Sequence, residues 1–236
     1  QLVKGKTKVN AGAVYPYDVI KTIQHGDKDL ADSQWNSLPN YLTDNAMILP
    51  MVDVSGSMVT QVSGKTTAMD ISVSLGLYLA SKQTGPFGNM TMTFSEKPEF
   101  QSYNDCSTLS EKYRKIVNSN WGMNTNIQLA FEEILNIAIQ NKVPAEDMPK
   151  YLLILSDMEF DSAIGNGPYS RNVSNMDTIM NVVEKMFSVT GYQIPKIVYW
   201  NLVSRNQHVP VSFDKHGTAL ISGFSPAIMK SVLAAD

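Results

Sequence analysis

Two rhythms of apolar residues alternate along most of this chain. Ala46 to Val52 (AMILPMV), Met90 to Phe94, Tyr151 to Leu155 (YLLIL) and Lys196 to Val203 (KIVYWNLV) are short, nearly continuous apolar runs. Such runs predict strands buried on both faces. Thr218 to Ile221 reads as the last strand. The turn Ser95-Glu96-Lys97-Pro98 is too short for a parallel crossover, so Glu99–Tyr103 is predicted as an antiparallel edge strand.

Helical spacing fills the intervals. Thr66 to Gln83 carries Ile71, Leu75, Tyr78 and Leu79 on one stripe and Val73, Leu77 and Ala80 on another. A helix apolar on most sides is itself buried. Leu109 to Val117 predicts a modest surface helix. Ile127, Phe131, Ile134, Leu135 and Ala138 mark a strongly amphipathic one from Asn126 to Asn141. Met176 to Val189 is helical, and Ser225-Pro226 opens a terminal helix to Leu233. Ahead of these, Tyr17 to Ile23 follows Pro16 as a helix, and Leu30 to Leu42 is a second, its end blurred by Pro39. The pattern predicts a doubly wound, mostly parallel α/β sheet with helices on both faces and one short antiparallel edge strand. The boundaries drawn are a helical N-terminal extension over 1–45 and one α/β domain over 46–236.

Composition adds exclusions. With 236 residues, 43% of them hydrophobic, the chain has material for a real core and none of the bias of a disordered tail. Its formal charge of −3 does not announce a nucleic-acid binder. One cysteine, Cys106, excludes an internal disulfide framework and a cysteine-built zinc site, and fits an intracellular, cytoplasmic setting. No apolar run of about 18 residues predicts a membrane span. Residue 1 is Gln, so the chain reads as a piece of something longer. The charge is uneven: residues 46–161 hold eight bases against thirteen acids, whereas residues 1–45 balance.

That acidic stretch contains the candidate chemistry. In a doubly wound sheet, ligands bind beyond the carboxyl ends of the strands where the winding reverses. One apolar strand runs into Asp53-Val54-Ser55-Gly56-Ser57 and another into Ser156-Asp157, and Trp121-Gly122-Met123-Asn124-Thr125-Asn126 opens a helix between them. Asp53, Ser55, Ser57, Thr125 and Asp157 then meet on one rim. Hydroxyls and two carboxylates are a donor set for Mg2+, with Mn2+ or Ca2+ as substitutes, and leave room for one further oxygen from a ligand. Taken singly the residues have plainer readings: Asp53 and Asp157 as helix caps, Ser55-Gly56-Ser57 as a turn, Thr125 with Gln128 as a capping box. Met58, Met123 and Met158, with Trp121 and Phe160, form either an apolar collar around the ion or packing beneath the loops.

The order Asp53-x-Ser55-x-Ser57, a later loop threonine and a strand-end aspartate resembles the metal-ion-dependent adhesion site of von Willebrand factor A domains. The likeness runs through LPMVDVSGSM, WGMNTNIQLAF, KYLLILSDMEFD and KIVYWNL. It points to an intracellular branch similar to the C-terminal domain of the Ro ribonucleoprotein autoantigen. The resemblance implies Ser55 and Ser57 as direct metal ligands, Thr125 as a ligand on engagement, and the aspartates directly or through water. It implies a non-enzymatic, Mg2+-dependent interaction module whose protein partner supplies a carboxylate. A ribonucleoprotein role, with RNA bound through the N-terminal region, is the first alternative, and a metal-dependent hydrolase the second.

Several patterns carry nothing. Gly64-Lys65-Thr66 lacks the earlier glycine of a phosphate loop, with Val59 in its place, and His25, His208 and His216 have no ligand spacing. The run Lys4, Lys6, Lys8 reads as a solvated terminus. Glu159 and Asp161 read as exposed loop carboxylates.

Overall fold

The computed structural model describes residues 14–42, 47–120, 125–157, 173–203 and 218–223. Six strands form the main sheet: β1 (Ile48–Val52), β4 (Met90–Thr93), β5 (Phe100–Ser102), β6 (Tyr151–Ser156), β7 (Lys196–Asn201) and β8 (Thr218–Ser222). Their spatial order is β5-β4-β1-β6-β7-β8, and every pairing is parallel except β4 with β5. The expected sheet and its antiparallel edge are therefore present. The chain leaves β1 towards β4 and later returns past it to β6, so the winding reverses at β1. That is where such sheets bind ligands.

Among the described residues six helices cover the two faces: α1 (Pro16–Gln24), α2 (Lys28–Asn36), α3 (Ala68–Lys82), α4 (Leu109–Val117), α5 (Ile127–Gln140) and α6 (Val173–Ser188). Residues of α1 to α4 pack with Val52, Leu153, Leu155, Val198 and Trp200 on one face. Residues of α5 and α6 pack with Leu49, Met51, Leu152, Ile154, Ile197 and Tyr199 on the other. The split follows the period of two along each strand.

The apolar girdle of α3 has its explanation here. One side lies on β1 and the other is roofed by α1, α2 and α4. Val19, Ile20 and Ala31 of the roof are fully buried. Polar ties hold the roof in place: Gln24 Nε2 donates to Asp70 Oδ1 at 2.8 Å, and Lys21 Nζ donates to Thr66 Oγ1. Gly76 permits the close approach of α3 to the sheet, since a Cβ there would lie 2.3 Å from Val52 Cγ2.

Two expectations need correction. The second helix ends at Asn36 rather than reaching Leu42, although Leu38 beyond it is still buried. Ser37 takes the C-cap and Pro39, with no backbone N–H, cannot extend the ladder. The third helix begins at Ala68, because Thr66–Thr67 (β3) pairs antiparallel with Gln61–Ser63 (β2) in a small hairpin. Gly64, at a φ of 55°, makes its turn, so Gly64-Lys65-Thr66 belongs to a hairpin. Thr67 then caps α3 in a reciprocal box with Asp70. The terminal helix from Ser225 to Leu233, Lys4, Lys6, Lys8, His208 and His216 lie outside the described residues.

Candidate functional site

At the carboxyl end of β1 the pleat carries Asp53 onto the same face as Met51. The backbone still follows β6, with Asp53 N donating to the Leu155 carbonyl at 3.0 Å. Side chains on that face therefore form rows across the strands. Met51, Ile154 and Tyr199 make one apolar row by register, and Asp53, Ser156 and Asn201 make a polar row one pleat higher. All three polar residues are buried, Asp53 at 1% exposure.

The Asp53 carboxylate is bonded at both oxygens. Ser55 N donates to Oδ1 at 2.8 Å, an Asx turn that bends the chain out of the strand. Ser156 Oγ donates to Oδ2 at 2.6 Å. Asp53 thus caps no helix, and Ser55, at the N-cap of the 3-10 turn Gly56–Val59, makes no side-chain cap bond. Ser55 Oγ lies 3.1 Å from Ser57 Oγ, so the two hydroxyls converge, with Ser55 buried and Ser57 exposed. The donors run from a buried carboxylate out to solvent.

Among the described residues Asp53 is an acidic spot with no counter-charge. Burial raises the Asp53 pKa above its ordinary value, the bonds from Ser156 and Ser55 pull it back, and the charge of Asp157 pushes it up again. Among the described residues no Lys, Arg or His forms an ion pair with Asp53. No cluster of three His, Cys, Asp or Glu is found among them either. The donor set here is two carboxylates with several hydroxyl oxygens, a composition suited to a hard cation.

Thr125 reaches the rim from the α5 side. Its Oγ1 donates towards the Ser95 carbonyl at 3.3 Å and lies 3.6 Å from Met51 Sδ, two residues before Asp53. Asn126, not Thr125, caps α5, with its Oδ1 accepting from Leu129 N at 3.1 Å, and Gln128 bonds Glu132 instead. The capping-box reading of Thr125 is thereby replaced. Hydrogen bonds link Asp53, Ser55 and Ser57, the charge of Asp157 is felt at Asp53, and Thr125 lies against Met51 and the Ser95 carbonyl.

Met58 is fully buried within the α3 face and packs beneath the loop, so it does not belong to a collar. Trp121, Met123, Met158, Phe160, Glu159 and Asp161 lie outside the described residues. Two buried polar residues of the rim were not singled out from sequence, Ser156 and Asn201. Their signal was a polar residue closing an apolar strand run at full burial. Among the described residues no helix is long and apolar enough to cross a membrane.

Residues 47–236 match the family described as Domain of unknown function (DUF7788). The whole chain aligns at 30% identity with uncharacterized protein L728 of Acanthamoeba polyphaga mimivirus, covering 40% of that protein. In fold it is similar to the crystal structure of the Deinococcus radiodurans Ro (RSR) protein, with a TM-score of 0.54 and 15% identity. That likeness covers 94% of this chain and 45% of the Ro chain. The chain thus spans less than half of either relative.

Proposed function

The chain belongs to the DUF7788 family, and from the rim geometry we propose a divalent-cation-dependent interaction module. Asp53, Ser55, Ser57 and Asp157 would hold Mg2+, with Thr125 as a further oxygen ligand once a partner is engaged. Two carboxylates formally neutralise Mg2+ and the hydroxyls add no charge, so a bound ion would stay electrophilic towards one oxygen of an acidic group on a protein partner. One observation carries this reading: a carboxylate at 1% exposure with hydroxyl neighbours, a second acid beside it and no ion-pair partner among the described residues. A buried carboxylate of this kind is costly unless a counter-charge arrives.

The fold shared with the Ro protein agrees with a von Willebrand A-like module, and the non-enzymatic reading is preferred to a hydrolase because the Asp53-x-Ser55-x-Ser57 motif itself brings no convincing general base. RNA contact through the N-terminal region ranks second, because it rests on analogy with the Ro protein more than on particular residues.

Thermal unfolding in chelator and in Mg2+ tests the proposal. At about a hundred times its dissociation constant a ligand adds about 2.7 kcal/mol. For a domain of this size that raises Tm by about 5–10 °C. The parent gains this increment and Asp53→Ala does not. An unchanged parent melting temperature at millimolar Mg2+ overturns it.

A further inference from the structure

Strand β6 reads Tyr-Leu-Leu-Ile-Leu and then closes on a fully buried serine. Ser156 is no ligand in the set above, yet its hydroxyl makes the shortest bond to Asp53, 2.6 Å to Oδ2, across 103 residues of sequence. With Ser55 N on Oδ1, the carboxylate is gripped from two sides, by its own loop and by the neighbouring strand. Register makes this contact inevitable. Val52 pairs with Leu155, so position 156 stands beside position 53 on the same face, and adjacent strands lie about 4.8 Å apart.

The chemistry of the grip is selective. A hydroxyl donates one proton and brings no charge, so it orients the carboxylate without neutralising it. A lysine there would cancel the charge, and an alanine would leave Oδ2 free to rotate. Each carboxylate oxygen retains a lone pair after accepting one bond. We infer that Ser156 is a positioning residue for the cation site, fixing the Asp53 carboxylate in its binding orientation before the ion arrives. This role rests on the cation reading of Asp53. Outer partners that orient ligating carboxylates contribute about 10- to 100-fold in metal affinity.

Mn2+ titration followed by electron paramagnetic resonance, well below the melting temperature, tests it on the full chain. The parent binds, Ser156→Ala binds about 10- to 100-fold more weakly, and Ser156→Thr, which keeps the hydroxyl, stays close to the parent. A purely structural serine would lower melting temperature and leave the affinity of the folded protein unchanged. Equal affinity in Ser156→Ala and the parent refutes the positioning role alone, as does a Thr variant as weak as the Ala one. Should Ser156→Ala fail to melt cooperatively, Ser156→Cys supplies the comparison, since a thiol fills the space but donates weakly. A parent that binds no Mn2+, or an Asp53→Asn variant that binds as well as the parent, removes the cation reading and this role with it.

Discussion

Two rows of side chains cross strands β1, β6 and β7 on one face, a single pleat apart. The lower row is Met51, Ile154 and Tyr199, and the upper is Asp53, Ser156 and Asn201. Exposure does not separate them: the lower row runs from 0% to 3% and the upper from 0% to 5%. Chemistry does. In the lower row burial is its own reward, because apolar area leaves water. In the upper row every buried polar atom must be matched, and Asp53 finds hydrogen bonds but no counter-charge among the described residues. A site can therefore be as buried as the core and be marked only by what its burial leaves unanswered.

The sharpest way to break the contrast is to move the upper chemistry down one pleat. Ile154→Asp places a carboxylate in the apolar row between Met51 and Tyr199. It should cost about 4 kcal/mol or more, read as a lower urea midpoint. Full stability in that variant would mean the lower row tolerates charge and the contrast is empty.

A smaller effect comes from the opposite face of β1. Val52 lies between Met51 and Asp53 and points towards α3, where Gly76 leaves room for it. Gly76→Ala should destabilise by about 1–3 kcal/mol through overpacking, despite the better helix propensity of alanine. A gain in chemical stability would show that α3 can back away from the sheet at little cost.

Asn201 closes the upper row, and its Oδ1 accepts from Val203 N at 3.0 Å. Converting it to leucine extends the apolar chemistry upward and removes that acceptor. The expected loss is about 1 kcal/mol in denaturant unfolding. No loss would mean that the end of β7 can be apolar as readily as the row beneath.

The finest test is a pH profile in chelator of the parent against Asp53→Asn. Burial, the largest cause, raises the folded pKa of Asp53 above its ordinary 3.8, so the folded chain binds its proton more tightly than the unfolded one. Stability of the parent relative to Asp53→Asn must then fall as pH rises from 3.8 through the elevated value, and level off above it. Saturating Mg2+ should reverse the order of the two proteins at neutral pH. A parent that gains on Asp53→Asn over the same rise in chelator would show that the carboxylate is already compensated.

Much of this was legible in the residues. The apolar runs at 46–52, 151–155 and 196–203 hold the strands Ile48–Val52, Tyr151–Ser156 and Lys196–Asn201, and Leu109–Val117 is a helix to the residue. Asp53, Ser55 and Ser57 stand out as candidates because they follow such a run at its end. The hairpin of Gln61–Ser63 and Thr66–Thr67 is not legible in the sequence, since strands of three and two mostly polar residues show no hydrophobic period. Thr125 was ambiguous because a threonine before a helix with glutamine three residues on suits a cap. Only the position of Asn126 and the Ser95 carbonyl decides which residue caps.

What the chain determines by itself is local: which stretches are strands, which are helices, and that carboxylates and hydroxyls wait at strand ends. Local periodicity and hydrogen-bonding habit act over a few residues, and they are written in the order of the letters. Which strands lie side by side, and in what register, was decided only by the closed sheet, where packing on two faces selects one arrangement from many. That choice set Ser156 against Asp53 and placed both in one buried row with Asn201. Contacts between residues a hundred positions apart form only when a whole core closes around them, and so no local pattern announces them.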